Sequence, residues 1–454
     1  MKQLKSLIAA CILGSLGLSN TAGAQTPLLS HCKDPDQYSD SEDASALFPC
    51  SVMVEFWPLA SEEERAEILR SVSAVQRLKL QKNLSSVSLK SLAALKKLKE
   101  NGSIVRVVPD RLVRVNPERS NKIEAVGSQK KPTGVWRVNG YKAHASGYKG
   151  QGIGIAIVDT GIADDTNDLN LGSVCHDSFL GALNPSRCYD GHGHGTHVAG
   201  TAAALDNGVG VIGVAPEATV YAVRVLNDNG SGSDSTVIAG LQWILENAAE
   251  YNIQVANLSL GREGDSADNP IYSEAITDLV DAGITVVVAA GNDANLEVSQ
   301  NVPAAYSNVI SVASSTAIKG ANLGCSGFSE VVSANAASFF TTDGEEVTVS
   351  APGGKREIIT KNCSVAGIGI LSLAPGGGTT RMSGTSMAAP HVAGGVALLY
   401  SAGAVTNWSQ AQTILKGATA MQGITPLDSP TTSYSFDGTR EGIMDVCGPG
   451  ALDC

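Results

Sequence analysis

From residue 51 the chain sets short apolar runs between polar stretches with helical spacing. "SVMVEF" reads as a strand, and "SEEERAEILRSV" as a helix whose Ser61 and Glu64 are placed for a capping box. "VQRLKL" and "SVSL" read as strands, "SLAALKKLKENG" as a helix ending near Gly102, and "SIVRVV" as a last strand. Strand-helix-strand-strand-helix-strand is the order of a small ferredoxin-like α+β sandwich, over about 51–115. "NPERSNKIEAVGSQKKP" follows as a polar linker.

From about residue 150 the pattern changes. "GIGIAIVD", "TVYAVRVL", "IQVANLSL", "ITVVVAAGN" and "NVISVAS" are near-continuous apolar runs, the signature of parallel strands covered on both faces. Helical stretches such as "STVIAGLQWILENAAE" and "IYSEAITDLVDAG" lie between them. The expected fold is a doubly wound, mostly parallel α/β sheet. Residues 315–348 break the alternation and read as an insertion.

The N-terminus adds a compartment. Lys2 and Lys5 precede "LIAACILGSLGL", and "AGA" at 22–24 supplies small residues for cleavage, so 1–24 reads as a secretory signal. That apolar run is too short to span a bilayer, so no membrane association is expected after its removal. The protein is expected outside the cytoplasm, either periplasmic or extracellular. Eight of the nine cysteines lie beyond the signal, and an even count in an exported chain favours disulfides over free thiols. Short separations suggest Cys32–Cys50, Cys175–Cys188, Cys325–Cys363 and Cys447–Cys454, although connectivity does not follow from sequence.

Charge is segregated. Residues 51–131 hold 16 Lys and Arg against 9 Asp and Glu, a net of +7, whereas 132–454 hold 13 against 30, a net of −17. The acidic part argues against a nucleic-acid partner.

In an open α/β sheet, ligands bind beyond the carboxyl ends of the strands. There the sequence places Asp159 after "GIAIV", Asn292 after "VVVAAG", and Ser386 at the head of a helix in "SGTSMAAPHVAGGVALLY". "GHGHGTHVAG" at 191–200 offers His192, His194 and His197. Taken singly, Asp159 reads as a strand-end cap, Asn292 as a turn residue and Ser386 as a helix cap. Together they supply an acid, an imidazole, an amide donor and a hydroxyl nucleophile. The histidine cluster also admits a zinc hydrolase, since imidazole is a good zinc ligand. That alternative gives Ser386 and Asn292 no role and lacks "HxHxDH" spacing, position 196 being Thr.

"IVDTGI", "HGTHVAGT", "AAGN" and "GTSMAAPHVAG" resemble the signature blocks of subtilisin-like serine proteases, in that family's order, and the likeness covers roughly 130–446. The resemblance implies a triad of Asp159, His194 and Ser386, with Asn292 donating to the oxyanion. It leaves His197 and His391 as buried structural imidazoles. An intact triad speaks against an inactive fold serving only as a binding module. "NLSLG" and "NGSG" resemble the segments that pair with an extended peptide, implying Ser259, Leu260 and Gly261 on one side and Gly230, Ser231 and Gly232 on the other. Two positions depart from the family: Arg262 replaces a frequent glycine, and Asp234 stands where an aromatic often lines a distal pocket. Apolar preference at that pocket is thereby put in question.

The resemblance also implies calcium, held by Gln129, Asp168, Asn207 and the carbonyls of Leu205, Val209 and Val211, an all-oxygen set. Residues 25–127 resemble the family's inhibitor-type propeptide, cut between about 116 and 130 and preferably before Ser128. The catalytic domain then runs over 128–446, followed by a short tail, 447–454. The expected protein is a monomeric, self-processing endopeptidase acting on polypeptides, with its own propeptide as intramolecular inhibitor.

Overall fold

A computed structural model describes residues 49–80, 83–115, 118–119, 123–179, 188–316, 337–338, 340–354, 356–360, 363–366, 369–422 and 441–454. The smaller unit comprises β1 (Cys50–Phe56), α1 (Glu62–Ser71), β2 (Val75–Lys79), β3 (Leu84–Leu89), α2 (Leu92–Lys99) and β4 (Ile104–Pro109). Its antiparallel sheet has the order β2-β3-β1-β4, with its own core around Val54, Phe56, Val87, Leu95 and Leu98. Half of the expected capping box forms. Ser61 Oγ accepts from Glu64 N at 3.2 Å, but the Glu64 carboxylate accepts from Ser103 Oγ (2.9 Å), which ties α1 to the start of β4.

Two short strands, β5 (Leu112–Arg114) and β6 (Glu118–Arg119), lead out of this unit. The larger unit follows with α3 (Thr133–Arg137), α4 (Gly140–Ala145), β7 (Gly154–Asp159), β8 (His176–Asp177), α5 (His194–Ala203), β9 (Thr219–Arg224) and β10 (Ser231–Ser233). Then come α6 (Asp234–Tyr251), β11 (Ile253–Leu258), β12 (Arg262–Glu263), α7 (Pro270–Asp281), β13 (Thr285–Ala289), β14 (Asn301–Val302), β15 (Ile310–Thr316) and β16 (Val347–Gly354). The chain ends with β17 (Arg356–Thr360), β18 (Cys363–Ala366), β19 (Ile370–Ala374), β20 (Gly378–Ser383), α8 (Thr385–Ser401) and α9 (Trp408–Gln422).

Seven strands form one parallel sheet in the order β16-β15-β13-β11-β7-β9-β8. Period-two alternation divides their side chains between two cores. Ile155, Ile157 and Val220 pack with Val198 of α5 and Val392 of α8 on one face, while Ala156, Val158 and Tyr221 pack with Leu241 of α6 and Ile276 of α7 on the other. This is the doubly wound α/β fold that the apolar runs imply.

Three expectations change in detail. The 116–132 linker is partly fastened down: Glu124 exchanges both backbone hydrogen bonds with Thr379, and Gln129 N donates to Gly208 O (2.9 Å). The 447–454 tail folds back, burying Leu452 in the core beside a Cys447–Cys454 bridge. The break at 315–348 ends in β16, a strand of the main sheet, and most of it lies outside the described residues.

Candidate active site

The chemistry-bearing residues collect at the carboxyl ends of the central strands. Asp159 is the last residue of β7, and Asn292 follows β13 by three positions. His194 opens α5, and Ser386 is the second residue of α8. His194 Nδ1 lies 2.7 Å from Asp159 Oδ1 and 2.9 Å from Oδ2, with both side chains fully buried. Gly195 permits this approach: a Cβ there would stand 2.1 Å from the Gly161 carbonyl and 3.1 Å from Asp159 Cβ. His194 Nε2 is buried and has no hydrogen-bond partner among the described residues. Ser386 Oγ donates to the Ser259 carbonyl (3.0 Å), and Ser259 Oγ donates back to the Ser386 carbonyl (2.9 Å). Asn292 Oδ1 accepts from both Thr385 N (2.8 Å) and Thr385 Oγ1 (2.9 Å), which fixes the amide and leaves its NH2 to donate. Asn292 and Ser386 share the wall of a cleft of about 650 Å³ with Leu260, Gly261 and Ala289.

Asp190 was not singled out by the sequence reading. It is buried and accepts from Thr160 Oγ1 (2.8 Å), His192 N (3.1 Å), Gly193 N (2.7 Å), Thr196 N (2.8 Å) and Thr196 Oγ1 (2.7 Å). One carboxylate thus ties the amino end of α5 to the segment after Asp159, so it sets where His194 sits. The readable signal was an acid a few residues ahead of a helix start, where orphan N–H groups need acceptors.

The three clustered histidines do not converge. His197 points into the core, where its Nε2 meets the Ile370 carbonyl (3.0 Å), and burial lowers its pKa to about 3. His192 lies against Gly230, and its ring is 6.2 Å from that of His194, which is committed to Asp159. His391 is also buried, with Nδ1 on the Met387 carbonyl (2.8 Å), and burial lowers its pKa to about 4.

The peptide-pairing segments are engaged by the chain itself. β5 pairs antiparallel with β10, setting Val113 opposite Gly232 and Arg114 opposite Ser231. Arg114 N also donates to the Gly261 carbonyl (3.3 Å) and Val115 N to the Gly230 carbonyl (3.0 Å). Gly230 has φ +68°, and a Cβ there would stand 2.8 Å from Val115, so glycine serves both the turn and the close approach. The two departures prove to be one feature. Arg262 Nε and Nη2 each lie 2.8 Å from an oxygen of buried Asp234, and Nη1 reaches Asp268 (3.1 Å). Pairing raises the pKa of Arg262, while burial pushes that of Asp234 up. Beside this pair the surface still takes an apolar side chain: Val113 is fully buried in the cluster that holds Val237 and Leu260.

The six residues singled out for calcium meet at one loop. Asp168 Oδ1 accepts from Asn207 Nδ2 (2.9 Å) and Oδ2 from Val211 N (3.1 Å), while Gln129 Nε2 faces the carbonyls of Leu205 (2.6 Å) and Val211 (3.2 Å). Val209 bridges to Ser128. Burial raises the Asp168 pKa to about 6 against those two donors. Cys175 is bonded to Cys188, with Cα atoms 6.1 Å apart, and Cys447 to Cys454, at 5.5 Å. Cys50 is disulfide-bonded; Cys32, Cys325 and the side chain of Cys363 lie outside the described residues.

A family model described as the subtilase family, Peptidase S8, matches residues 150–438. Subtilisin DY of Bacillus licheniformis is 38% identical over 281 residues, 60% of this chain and 86% of the relative. Subtilisin E of Bacillus subtilis (strain 168) is 35% identical over 323 residues, 70% of each chain. Subtilisin of Bacillus pumilus is 37% identical over 289 residues, 63% of this chain and 89% of the relative. With a parallel seven-stranded sheet and a match covering most of its length, the chain belongs to the subtilase family and is a serine-type endopeptidase.

Proposed function

We propose that this chain is made as an exported, self-processing precursor whose peptidase chemistry runs through Asp159, His194 and Ser386. The observation that carries the reading is the buried His194–Asp159 pair, whose opposite ring nitrogen has no partner among the described residues. A serine hydroxyl is a weak nucleophile until an imidazole takes its proton. Ser386 Oγ leaves the Ser259 carbonyl, gives its proton to His194 Nε2 and attacks the substrate carbonyl carbon. Asp159 fixes the Nδ1–H tautomer and stabilises the imidazolium. The Asn292 NH2 and the Ser386 N–H, at the amino end of α8, donate to the oxyanion. His194 then protonates the leaving nitrogen, and water repeats the sequence on the acyl-enzyme. Ser386→Ala should abolish hydrolysis, and an organophosphorus reagent should label Ser386. Activity in the Ser386→Ala protein, or labelling elsewhere, would refute the assignment.

The smaller unit supports the propeptide reading. Asp110 is buried and accepts from Ser235 N (2.9 Å) and Ser235 Oγ (2.7 Å), placing a carboxylate at the amino end of α6. Arg106 forks onto Glu274 (2.8 and 2.7 Å), and Arg111 pairs with Asp268. These contacts act within the opposition of a +7 to a −17 segment, so association should be fast and salt-sensitive. Recombinant 25–127 added in trans should inhibit the mature enzyme, more weakly as salt rises. Calcium fits the donor set at 205–211: one carboxylate, two carboxamides and carbonyls, all oxygen. Half-turns of the Gln129 and Asn207 amides, whose Nε2 and Nδ2 face the Leu205 carbonyl and Asp168, would present their oxygens instead. The ion would add stability and take no part in the reaction.

A further inference from the structure

The segment Arg111–Val115 lies in the cleft as an extended strand, so its side chains alternate between two faces. Val113 and Val115 are buried in the cluster that holds Leu226 and Leu260, Arg114 is exposed, and Arg111 falls on the face of the two valines. The backbone is held there as well: the Arg111 carbonyl accepts from Asp234 N (2.9 Å) at the first turn of α6, directly beyond the β5–β10 ladder. The Arg111 guanidinium meets the Asp268 carboxylate. Asp268 is set in place by the larger unit alone. Its N–H donates to the Asp265 carbonyl (3.2 Å) in the turn ahead of α7, and its Oδ2 accepts from Arg262 Nη1 (3.1 Å). Gly264 makes the room, since a Cβ there would stand 2.1 Å from Asp268 Oδ2 and 2.4 Å from Arg262 Nη1.

Without Arg111 the charges at this wall do not balance. Arg262 is committed to buried Asp234 by two hydrogen bonds and to the Glu263 carbonyl by another (2.9 Å). Asp234 and Asp268 set two negative charges against its one positive charge, and the neighbours Glu263, Gly264 and Asp265 add no cation. When 111–115 leaves the cleft, one fixed anion stays uncancelled beside the path of the strand. We propose that Asp268 is a cation-recognition site of the mature enzyme, selecting extended polypeptides that carry arginine two residues before the apolar side chain seated where Val113 sits. Main-chain pairing in the cleft accepts any sequence, so selection falls to fixed side chains such as this one. An acidic side chain at the same place would face an uncancelled carboxylate and be disfavoured. The inference rests on the peptidase reading, with substrate lying where 111–115 lies, and it names a substrate class for that site.

Enzyme matured from the full chain is given internally quenched peptides of one sequence, X-Leu-Val-Arg-Val with a common C-terminal extension, where X is Arg, Ala or Glu. Values of kcat/KM are measured, and mass spectrometry checks that the same bond is cut in each. The Arg peptide should exceed the Ala peptide by about fivefold at low ionic strength, the upper end for a partly exposed ion pair, with Glu below Ala. The preference should shrink as salt rises. In Asp268→Asn the Arg-to-Ala ratio should fall to near one, and in Asp268→Lys the Glu peptide should overtake the Arg peptide. Each enzyme serves as its own reference, so a poorly folded variant lowers all three rates together and leaves their ratios readable. Exchanging Arg for Ala at the fourth place, that of exposed Arg114, should have the same effect in the wild type and in Asp268→Asn. Equal rates for the Arg and Ala peptides in the wild type, or an Arg preference that survives in Asp268→Lys, overturn the proposal and leave the peptidase reading standing. A wild type that cuts none of the peptides overturns the reading of this cleft as the peptide site, and the proposal with it.

Discussion

Removing Arg262 tests whether the Asp234 pair is a structural necessity of this cleft. Asp234 is fully buried at the first turn of α6, and its carboxylate keeps three side-chain hydrogen bonds: two from Arg262 and one from Asn269 Nδ2 (2.8 Å). Arg262→Ala takes away the countercharge and leaves a buried anion with one amide. Stripping one partner from a buried ion pair costs about 3–5 kcal/mol. Asn269 and the positive end of α6 soften the loss, so the expected cost is near 3 kcal/mol. Thermal and urea unfolding should be measured at pH 7 in the Ser386→Ala chain, where autolysis cannot intrude.

A second variant separates lost charge balance from lost packing. Arg262→Ala with Asp234→Asn removes the anion and should recover most of the stability. The single variant should also have a pH signature. Burial already pushes the Asp234 pKa up, and without the guanidinium nothing of opposite charge holds it down. An acid whose folded pKa is raised gains stability as pH falls through that pKa, so the deficit should shrink on acidification. A deficit below about 0.5 kcal/mol, the range of ordinary surface changes, or failure of Asp234→Asn to rescue, would refute the reasoning.

Asn292→Ala should lower turnover by about 10²–10³ with little change in substrate binding, a figure taken over from subtilisin itself; unchanged turnover in steady-state kinetics would remove it from the oxyanion site. Chelation should lower the melting temperature first and activity only as a consequence, because a ligand that binds only the native state stabilises it, and Asp168→Ala should be insensitive to chelator. Acid should destabilise the fold through His176, His197 and His391, whose folded pKa values burial lowers from 6.5 to about 4, 3 and 4. The unfolded chain binds these protons first, so stability present above pH 6.5 is lost as pH falls toward 4, on the order of 2 kcal/mol per histidine at pH 5. Urea midpoints that stay flat from pH 7 to 5 would contradict this.

The sheet was legible because burial on both faces leaves strands with few polar positions, and runs such as "ITVVVAAGN" carry that mark without any partner in view. Of the candidate site residues, Asp159 ends such a run and Asn292 follows one, whereas His194 and Ser386 were legible from the helix-opening stretches "HGTHVAGT" and "GTSMAAPHVAG" that carry the family resemblance. What stayed hidden depends on contacts between distant parts of the chain. Asp190 matters through five donors spread over 160–196. Glu64 sits at the right spacing for a capping box, yet Ser103 takes its carboxylate from 39 residues away. Glu124 and Lys130 look like linker polarity until Thr379 and Gly210 supply backbone partners.

Arg262 and Asp234 show the same limit in the opposite direction. Read singly, each introduces a charge where the family carries glycine or an aromatic, and each argues for a changed, more polar pocket. Folded, they lie 28 positions apart in sequence and two hydrogen bonds apart in space, and their charges cancel. A cancelled pair exposes little field to a ligand, and its stems present carbon. That is why Val113 can be fully buried beside it, in the cluster with Val237 and Leu260. The departures therefore rebuild this wall as one ion pair, and the wall so built leaves room for the fully buried, apolar Val113 of β5.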